Sequence, residues 1–309
     1  IYDGRASTDN ENGRAGGLVG FAGYTYGEQG TSEQTYSITA CQVREAVKVE
    51  SSSIAGGVVG QVNDLHKVAP YVLSGCVMMG HAEGFYVQGN SYTGGIVGDM
   101  RYGTMMYCTN NQKVVAGPDN SGTIGGLVGM LNYGDISTCL NNATGQVSSL
   151  GNASYHVGGI VGYLGSGSVT LCTNHADVDG TGECGGIVGF YMFRSDSDST
   201  RFIRNCINSG KVTCKTHANA GGIIGFVGVT SGNLYIVECC NYGDVVIENE
   251  YWGDAGGILG STHSNRAYIL NAFNRGSVKA PKYAGGILGE NGDHRHCTIQ
   301  NVYNTGMVI

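Results

Sequence analysis

Proline, charge and tryptophan are all scarce in this chain. Three prolines in 309 residues are too few for collagen, and charged residues at 13% are too few for a disordered linker. The chain is therefore expected to fold, and its 54 glycines make it turn-rich. Clusters of Lys and Arg are also missing. With a net charge of −7 and no long basic run, the sequence lacks the footprint that phosphate backbones require, which excludes nucleic acid as a partner. No unbroken apolar run is long enough to span a bilayer, so no membrane-spanning helix is expected in these residues, and no charged start followed by an apolar core marks a leader. The sequence opens on Ile1 rather than Met, which points to an upstream segment and to a module of a longer polypeptide.

What is abundant is repetition. Gly-Gly-apolar-apolar-Gly occurs nine times, with the second glycines at Gly17, Gly57, Gly95, Gly126, Gly159, Gly186, Gly222, Gly257 and Gly286. The interval between successive pairs is uneven, shortest from Gly159 to Gly186 and longest from Gly17 to Gly57. Length varies while the landmarks persist, as when loops of differing size hang on a fixed rung. A second landmark, Cys-x-Asn-x-Gly-x-Val with substitutions, follows each pair at an interval that also varies, shorter from Gly159 to Asn174 than from Gly186 to Asn208. It reads "CTNNQKV" from Cys108, "CLNNATGQV" from Cys139, "CTNHADV" from Cys172, "CINSGKV" from Cys206 and "CCNYGDV" from Cys239. The last two copies begin with Ala272 and Val302 in place of Cys. In the first two units, "CQVREAV" and "CVMMGHA", the Asn is missing.

Short apolar segments bounded by Gly, Asn and Asp read as strands, and no stretch sustains the period of an amphipathic helix. The expected fold is all-β: a parallel β-solenoid of about nine repeats forming one domain over residues 1–309, a rod about 40 Å long at roughly 4.8 Å per rung. Asn110, Asn141, Asn174, Asn208, Asn241, Asn274 and Asn304 fall once per unit, so their amides are expected to form a structural ladder along the axis. The cysteines at 41, 76, 108, 139, 172, 206 and 239 lie two positions earlier, on the same face. Eleven cysteines cannot all pair, and a reduced, buried column is expected, with at most one bridge among Cys184, Cys214, Cys240 and Cys297. Both residues after each glycine pair are apolar in all nine units; as neighbours in a strand they must point in opposite directions, so the sheet is expected to be buried on both faces, covered by the chain's own longer loops or by a lateral partner.

The stretches "GGIVGYLGSGSVTLCTNHADV", "GGLVGMLNYGDISTCLNNATGQV" and "GGILGENGDHRHCTIQNVYNTGMV" resemble GLUG-motif repeats, which occur in bacterial surface proteins, including adhesin-like proteins and accessory regions of IgA-type peptidases. The resemblance covers nearly the whole chain, and its motif describes scaffold residues. It implies an extracellular or cell-surface setting in a bacterium.

Candidate chemistry is sparse. The glycine motifs lack the Lys-Ser/Thr of a P-loop and the helix that a dinucleotide fingerprint opens. "DVDGTGE", from Asp177 to Glu183, places Asp177 and Asp179 as in a calcium loop, but Val188 stands where the bidentate acid belongs, so calcium is the only cofactor considered and a plain turn is the simpler reading. "RSDSDSTR", Arg194 to Arg201, reads as a solvated loop tip. "DHRHC", Asp293 to Cys297, gathers His294, His296 and a thiol once, without a second ligand pair nearby. No nucleophile–base arrangement or carboxylate pair stands out, and the chain is expected not to be an enzyme.

The residue three before each second glycine varies from Arg14 through His156 and Glu183 to Asp254 and Tyr283, which suggests an exposed edge. Beside it, "ENEYWGDAGG" holds the only tryptophan, so Tyr251, Trp252 and Asp254 are the candidate ligand-binding residues, for a host or neighbouring-cell glycan or protein. The alternative is that Trp252 folds over its own rung. The expected function is a non-catalytic structural and adhesive module presenting variable loops. The other readings are a fibre subunit that self-associates end to end or laterally, and an accessory domain of a surface peptidase or glycosidase.

Overall fold

The computed structural model describes residues 4–8, 13–23, 36–44, 47–63, 71–80, 84–117, 122–142, 144–149, 156–192, 200–216, 218–228, 232–264, 266–292 and 296–309. Among them the regular elements are all strands, paired in parallel and stacked as a β-solenoid. No helix there is long and apolar enough to cross a membrane. One coil runs through Thr173–Asn174, Val178–Gly180, Cys184–Gly185, Val188–Tyr191 and Thr200–Arg204 before Ile207–Asn208 starts the next. These segments define an asparagine wall, a valine wall, a glycine wall and a long wall. The first three walls are nine-stranded sheets, and the long wall has 16 strands because most coils cross it in two segments. Two coils cross it in a single strand each, Val128–Ser137 and Val161–Thr170.

The nine sequence repeats slightly overstate the solenoid. Its first and last strand levels pair on one side only, which leaves about seven turns with a neighbour both above and below. Register is kept by like residues: Val178 pairs with Val147 on one side and Val212 on the other. Such columns turn a side chain that one coil could not bury into a continuous core.

The glycine motif makes a corner, and here the structure departs from the straight strand expected from sequence. Gly159 and Ile160 bend between the strands His156–Gly158 and Val161–Thr170. The N–H groups of Ile160 and Val161 both donate to the Ile187 carbonyl, at 3.0 and 2.9 Å, so two donors share one acceptor at the bend while the register stays one to one on either side of it. Alternation is lost at that point. Apart from Leu18, which is exposed, both apolar columns consequently enter or pack against the same main core, with Ile160 and Val161 fully buried in it, instead of facing opposite ways. The cover comes from within the chain. A second buried cluster does lie on the glycine and valine walls, but it is built from other residues, among them Ile124, Val157, Val178, Cys184 and Ala220.

Each glycine of the motif has its own reason. A Cβ on Gly158 would collide with the Val161 carbonyl, and one on Gly159 with the Gly186 carbonyl and the Asn174 amide. On Gly162 it would sit 2.7 Å from Ile124 backbone atoms of the glycine wall. The glycines are therefore needed for backbone approach, whatever their conformational freedom.

A second corner precedes the cysteine column. Ala40, Tyr107, Thr138, Leu171, Asn205, Glu238, Asn271 and Asn301 all have φ between 51° and 56°, and Gly75 has φ 64°. A non-glycine residue in this left-handed region costs roughly 1–2 kcal/mol. The stack retains its hydrogen bonds through the corner, as where Leu171 N–H donates to the Arg204 carbonyl at 2.9 Å.

Immediately after this corner lies the amide ladder. Nδ2 of each Asn donates to Oδ1 of the next: Asn110 to Asn141 and Asn141 to Asn174 at 2.9 Å, Asn174 to Asn208 and Asn208 to Asn241 at 2.8 Å, Asn241 to Asn274 at 2.7 Å, and Asn274 to Asn304 at 2.8 Å. The second Nδ2 hydrogen goes to the coil's own backbone, as from Asn174 to the Ala176 carbonyl at 2.8 Å. Asn110 through Asn274 are fully buried. In the first two coils Val43 and Met78 occupy the column and are buried too, so there the same groove is filled with apolar atoms.

Two outcomes test these corners and the ladder. Asn174→Leu strands a donor on Asn141 and an acceptor on Asn208, and should lower stability by about 1–3 kcal/mol in urea melts; an unchanged midpoint would remove the ladder's role. Leu171→Asn, which suits a left-handed residue and stands next to Asn205, should raise stability by about 0.5–1 kcal/mol, whereas Leu171→Val should lower it by about 1 kcal/mol.

Candidate functional site

The variable column of the glycine wall is exposed only at its two end members, Arg14 and Tyr283. Ile54, Thr123 and Asp254 are buried, while Tyr92, His156, Glu183 and Asn219 are half-buried. The third glycine of each motif has no Cβ, so the long wall closes against the glycine wall and the column lines a groove between them. Side chains meet across it. Arg14 donates to Gln61 and His156 stacks on Phe190 at 4.2 Å from wall to wall, while Gln61 donates to Asp99 at 2.7 Å along the long wall and His156 bonds Glu183 at 2.9 Å along the column. Most of the groove is thus filled by the protein's own contacts.

At the 252–290 end the groove differs. Asn249 Oδ1 accepts the backbone N–H groups of Tyr251 and Trp252 at 2.8 and 3.1 Å, which fixes the loop. Gly253, at φ 127°, then returns the chain to the glycine wall, where Asp254–Gly256 begins. A side chain there would press on the Ala218 carbonyl and Ile247. Tyr251 and Trp252 are left 73% and 58% exposed, so Trp252 does not fold over its own rung, whereas Asp254 is only 4% exposed.

The sequence did not join Asp254 to residues one coil on. Glu290 accepts from Ser261 Oγ at 3.0 Å. Lys282 Nζ lies 3.4 Å from Glu290 Oε1 and 3.9 Å from Asp254 Oδ1, and also over the rings of Tyr283 at 4.4 Å and Trp252 at 5.7 Å. The missed signal was the in-register pairing of Asp254 with Tyr283 and of Ser261 with Glu290, which alignment of the two glycine motifs supplies. Burial, then the hydrogen bond and charge of Glu290, push the Asp254 carboxyl up to about 6 against the pull of Lys282. Burial works the other way on Glu290, yet hydrogen bonds with Asp254 and Ser261 and the Lys282 charge hold it below the ordinary glutamate value. Asp254 Oδ1 is buried without a hydrogen-bond partner.

The other candidates have structural engagements. Asp177 accepts the Lys211 N–H at 2.8 Å, and Asp244, at the equivalent position of a later motif, accepts that of Ser277 at 2.8 Å. Asp179 pairs with Lys215 at 2.6 Å. The two aspartates of the candidate calcium loop are thus used separately, and among the described residues no group of three His, Cys, Asp or Glu could hold a metal. His296 is exposed; His294 and the loop from Arg194 to Ser199 lie outside the described residues.

All eleven cysteines are free. Hydrogen bonding with Cys139 and burial push the Cys108 thiol up to about 12, and burial takes Cys297 to about 11. Such thiols stay protonated at neutral pH and are poor nucleophiles. Cys214 is lowered by its hydrogen bond with Cys184, but both are fully buried.

No family model, no curated protein and no solved structure matched the chain.

Because Asp254 binds its proton more tightly folded than unfolded, its contribution favours the fold at low pH and is lost as pH rises from about 4 through 6. Asp254→Asn removes that loss. At pH 7 the variant should be more stable by about 1 kcal/mol after allowance for solvent screening, and equal to the parent at pH 4, in urea melts at both values.

Proposed function

We propose that this chain is a non-catalytic structural and adhesive module of a bacterial cell-surface or secreted protein, holding ligand-binding side chains on a rigid solenoid. The observation that carries this reading is the division of labour along the repeat. The recurring Gly, Asn and apolar residues are consumed by backbone approach, the ladder and the core, as Gly159, Asn174 and Ile160 illustrate. The non-recurring side chains instead collect in one groove, and at Tyr251 and Trp252 they project from a pinned loop. Exposed aromatics held in place before binding lose little entropy on contact, which suits a recognition surface. The GLUG-like motifs support the bacterial surface setting.

The reading is tested with the purified chain, fluorescently labelled, on panels of epithelial and bacterial cells. Saturable binding should appear on at least one cell type, and Trp252→Ala should weaken it at least tenfold with the melting temperature within a few degrees of the parent. Absence of saturable binding, or indifference to the substitution, would overturn it.

A further inference from the structure

Cys184 and Cys214 stand outside the cysteine column, fully buried in the second core cluster between the glycine and valine walls. Cys184 opens the glycine-wall strand of one coil, and Cys214 closes the valine-wall strand of the next. Their side chains converge. The Gly182 carbonyl accepts from Cys184 Sγ at 3.1 Å and from Cys214 Sγ at 3.3 Å, so two thiols share one acceptor. Gly180 makes the room for this: it pairs in register with Cys214, and a Cβ on it would lie 2.5 Å from Cys184 Sγ. The Cys184 sulfur thus occupies the place of the missing Gly180 side chain, one rung from Cys214.

The column thiols are arranged differently. Cys108, Cys139, Cys172, Cys206 and Cys239 each donate to a separate carbonyl two residues back, at 3.2–3.4 Å. Equivalent residues of stacked parallel strands keep their Cβ atoms about 4.8 Å apart, beyond the roughly 3.5–4.5 Å that a disulfide spans. A bridge within the column would bend two strands. A bridge across the corner joins side chains that already meet at one carbonyl.

We propose that Cys184 and Cys214 are a disulfide site, bridged when the chain folds in an oxidising compartment. One thiolate attacks a small disulfide donor such as glutathione disulfide and expels one glutathione; the second thiolate attacks the protein sulfur of that mixed disulfide and expels the other. The two cysteines lose two protons and two electrons, which the donor carries away as two thiols. Burial sets the timing. A donor of that size does not reach either sulfur in the folded coil, so the bridge forms while the segment between them is still open, and is shielded from reductants afterwards. It closes one turn of the solenoid into a covalent ring, from the glycine wall through the long and asparagine walls to the valine wall. A stack that unfolds coil by coil is thereby clamped at that turn. The inference does not depend on the adhesive reading.

The test refolds the reduced chain from urea with oxidised and reduced glutathione, blocks remaining thiols with N-ethylmaleimide in urea, and maps the peptides by mass spectrometry without reduction. The Cys184 and Cys214 peptides should be recovered linked, while those of Cys108, Cys139, Cys172, Cys206 and Cys239 carry the maleimide. The bridged chain should melt at least about 5 °C above the same chain refolded with reductant. Cys184→Ala, which places there the residue type that Ala220 supplies in register, should fold and melt alike under both conditions. Blocked thiols at both positions after oxidative refolding, pairing within the column instead, or equal melting of the bridged and reduced chains would overturn the proposal.

Discussion

The fold depends on one constraint: the asparagine amide must fit beneath the glycine corner of its own coil and still reach the amide of the next. Asn174 meets both demands, lying against Gly159 while donating to Asn208 at 2.8 Å. A methyl group on that glycine would push the amide out of line. The glycine pair and the Asn are thus two halves of one device, which explains why they recur together although the whole strand Val161–Thr170 lies between Gly159 and Asn174. Where Asn is absent, Met78 and Val43 fill the column with apolar atoms, and the glycines Gly57 and Gly17 contact them instead. The corner tolerates either solution, provided the space is filled.

Because the corner is fixed, the rest of the coil is free to vary in length. Loops of different size leave and rejoin the same four walls, and residues far apart in sequence arrive in register. The cluster of Trp252, Asp254, Lys282 and Glu290 arises this way: Asp254 and Lys282 come from successive passes by the glycine wall, Glu290 from the long wall of the later coil. Its electrostatics follow from the same packing. Burial raises the Asp254 carboxyl, and the next coil supplies both Glu290, which raises it further, and Lys282, which pulls it back.

Much of this architecture was legible in the sequence, because periodicity is visible without coordinates. The parallel solenoid and the once-per-coil positions of Asn and Cys came from counting. Two features did not. The left-handed residue before each position of the cysteine column is Gly75, Asn205, Asn271 or Asn301 in some coils, types that tolerate such φ, but Tyr107, Leu171 and Glu238 in others, which conceal it. The bend at Gly159–Ile160 was hidden because two apolar residues in a row suggest a strand buried on both faces just as well as a corner. At the candidate site, exposure of Trp252 and its link to Asp254 could be suspected from adjacency. Lys282 and Glu290 could not, since their relation to Asp254 is set by coil length and corner geometry together.

The central claim is that the amide ladder is formed and sealed along the axis. Hydrogen exchange of the asparagine side-chain amides, followed by NMR in deuterium oxide, addresses it directly. The Nδ2 protons of Asn141, Asn174, Asn208 and Asn241, fully buried and doubly bonded, should persist on the timescale of the core backbone amides, while those of the exposed Asn304 exchange early. Exchange of the interior set within minutes, alongside protected backbone strands, would contradict the ladder and with it this account of the fold.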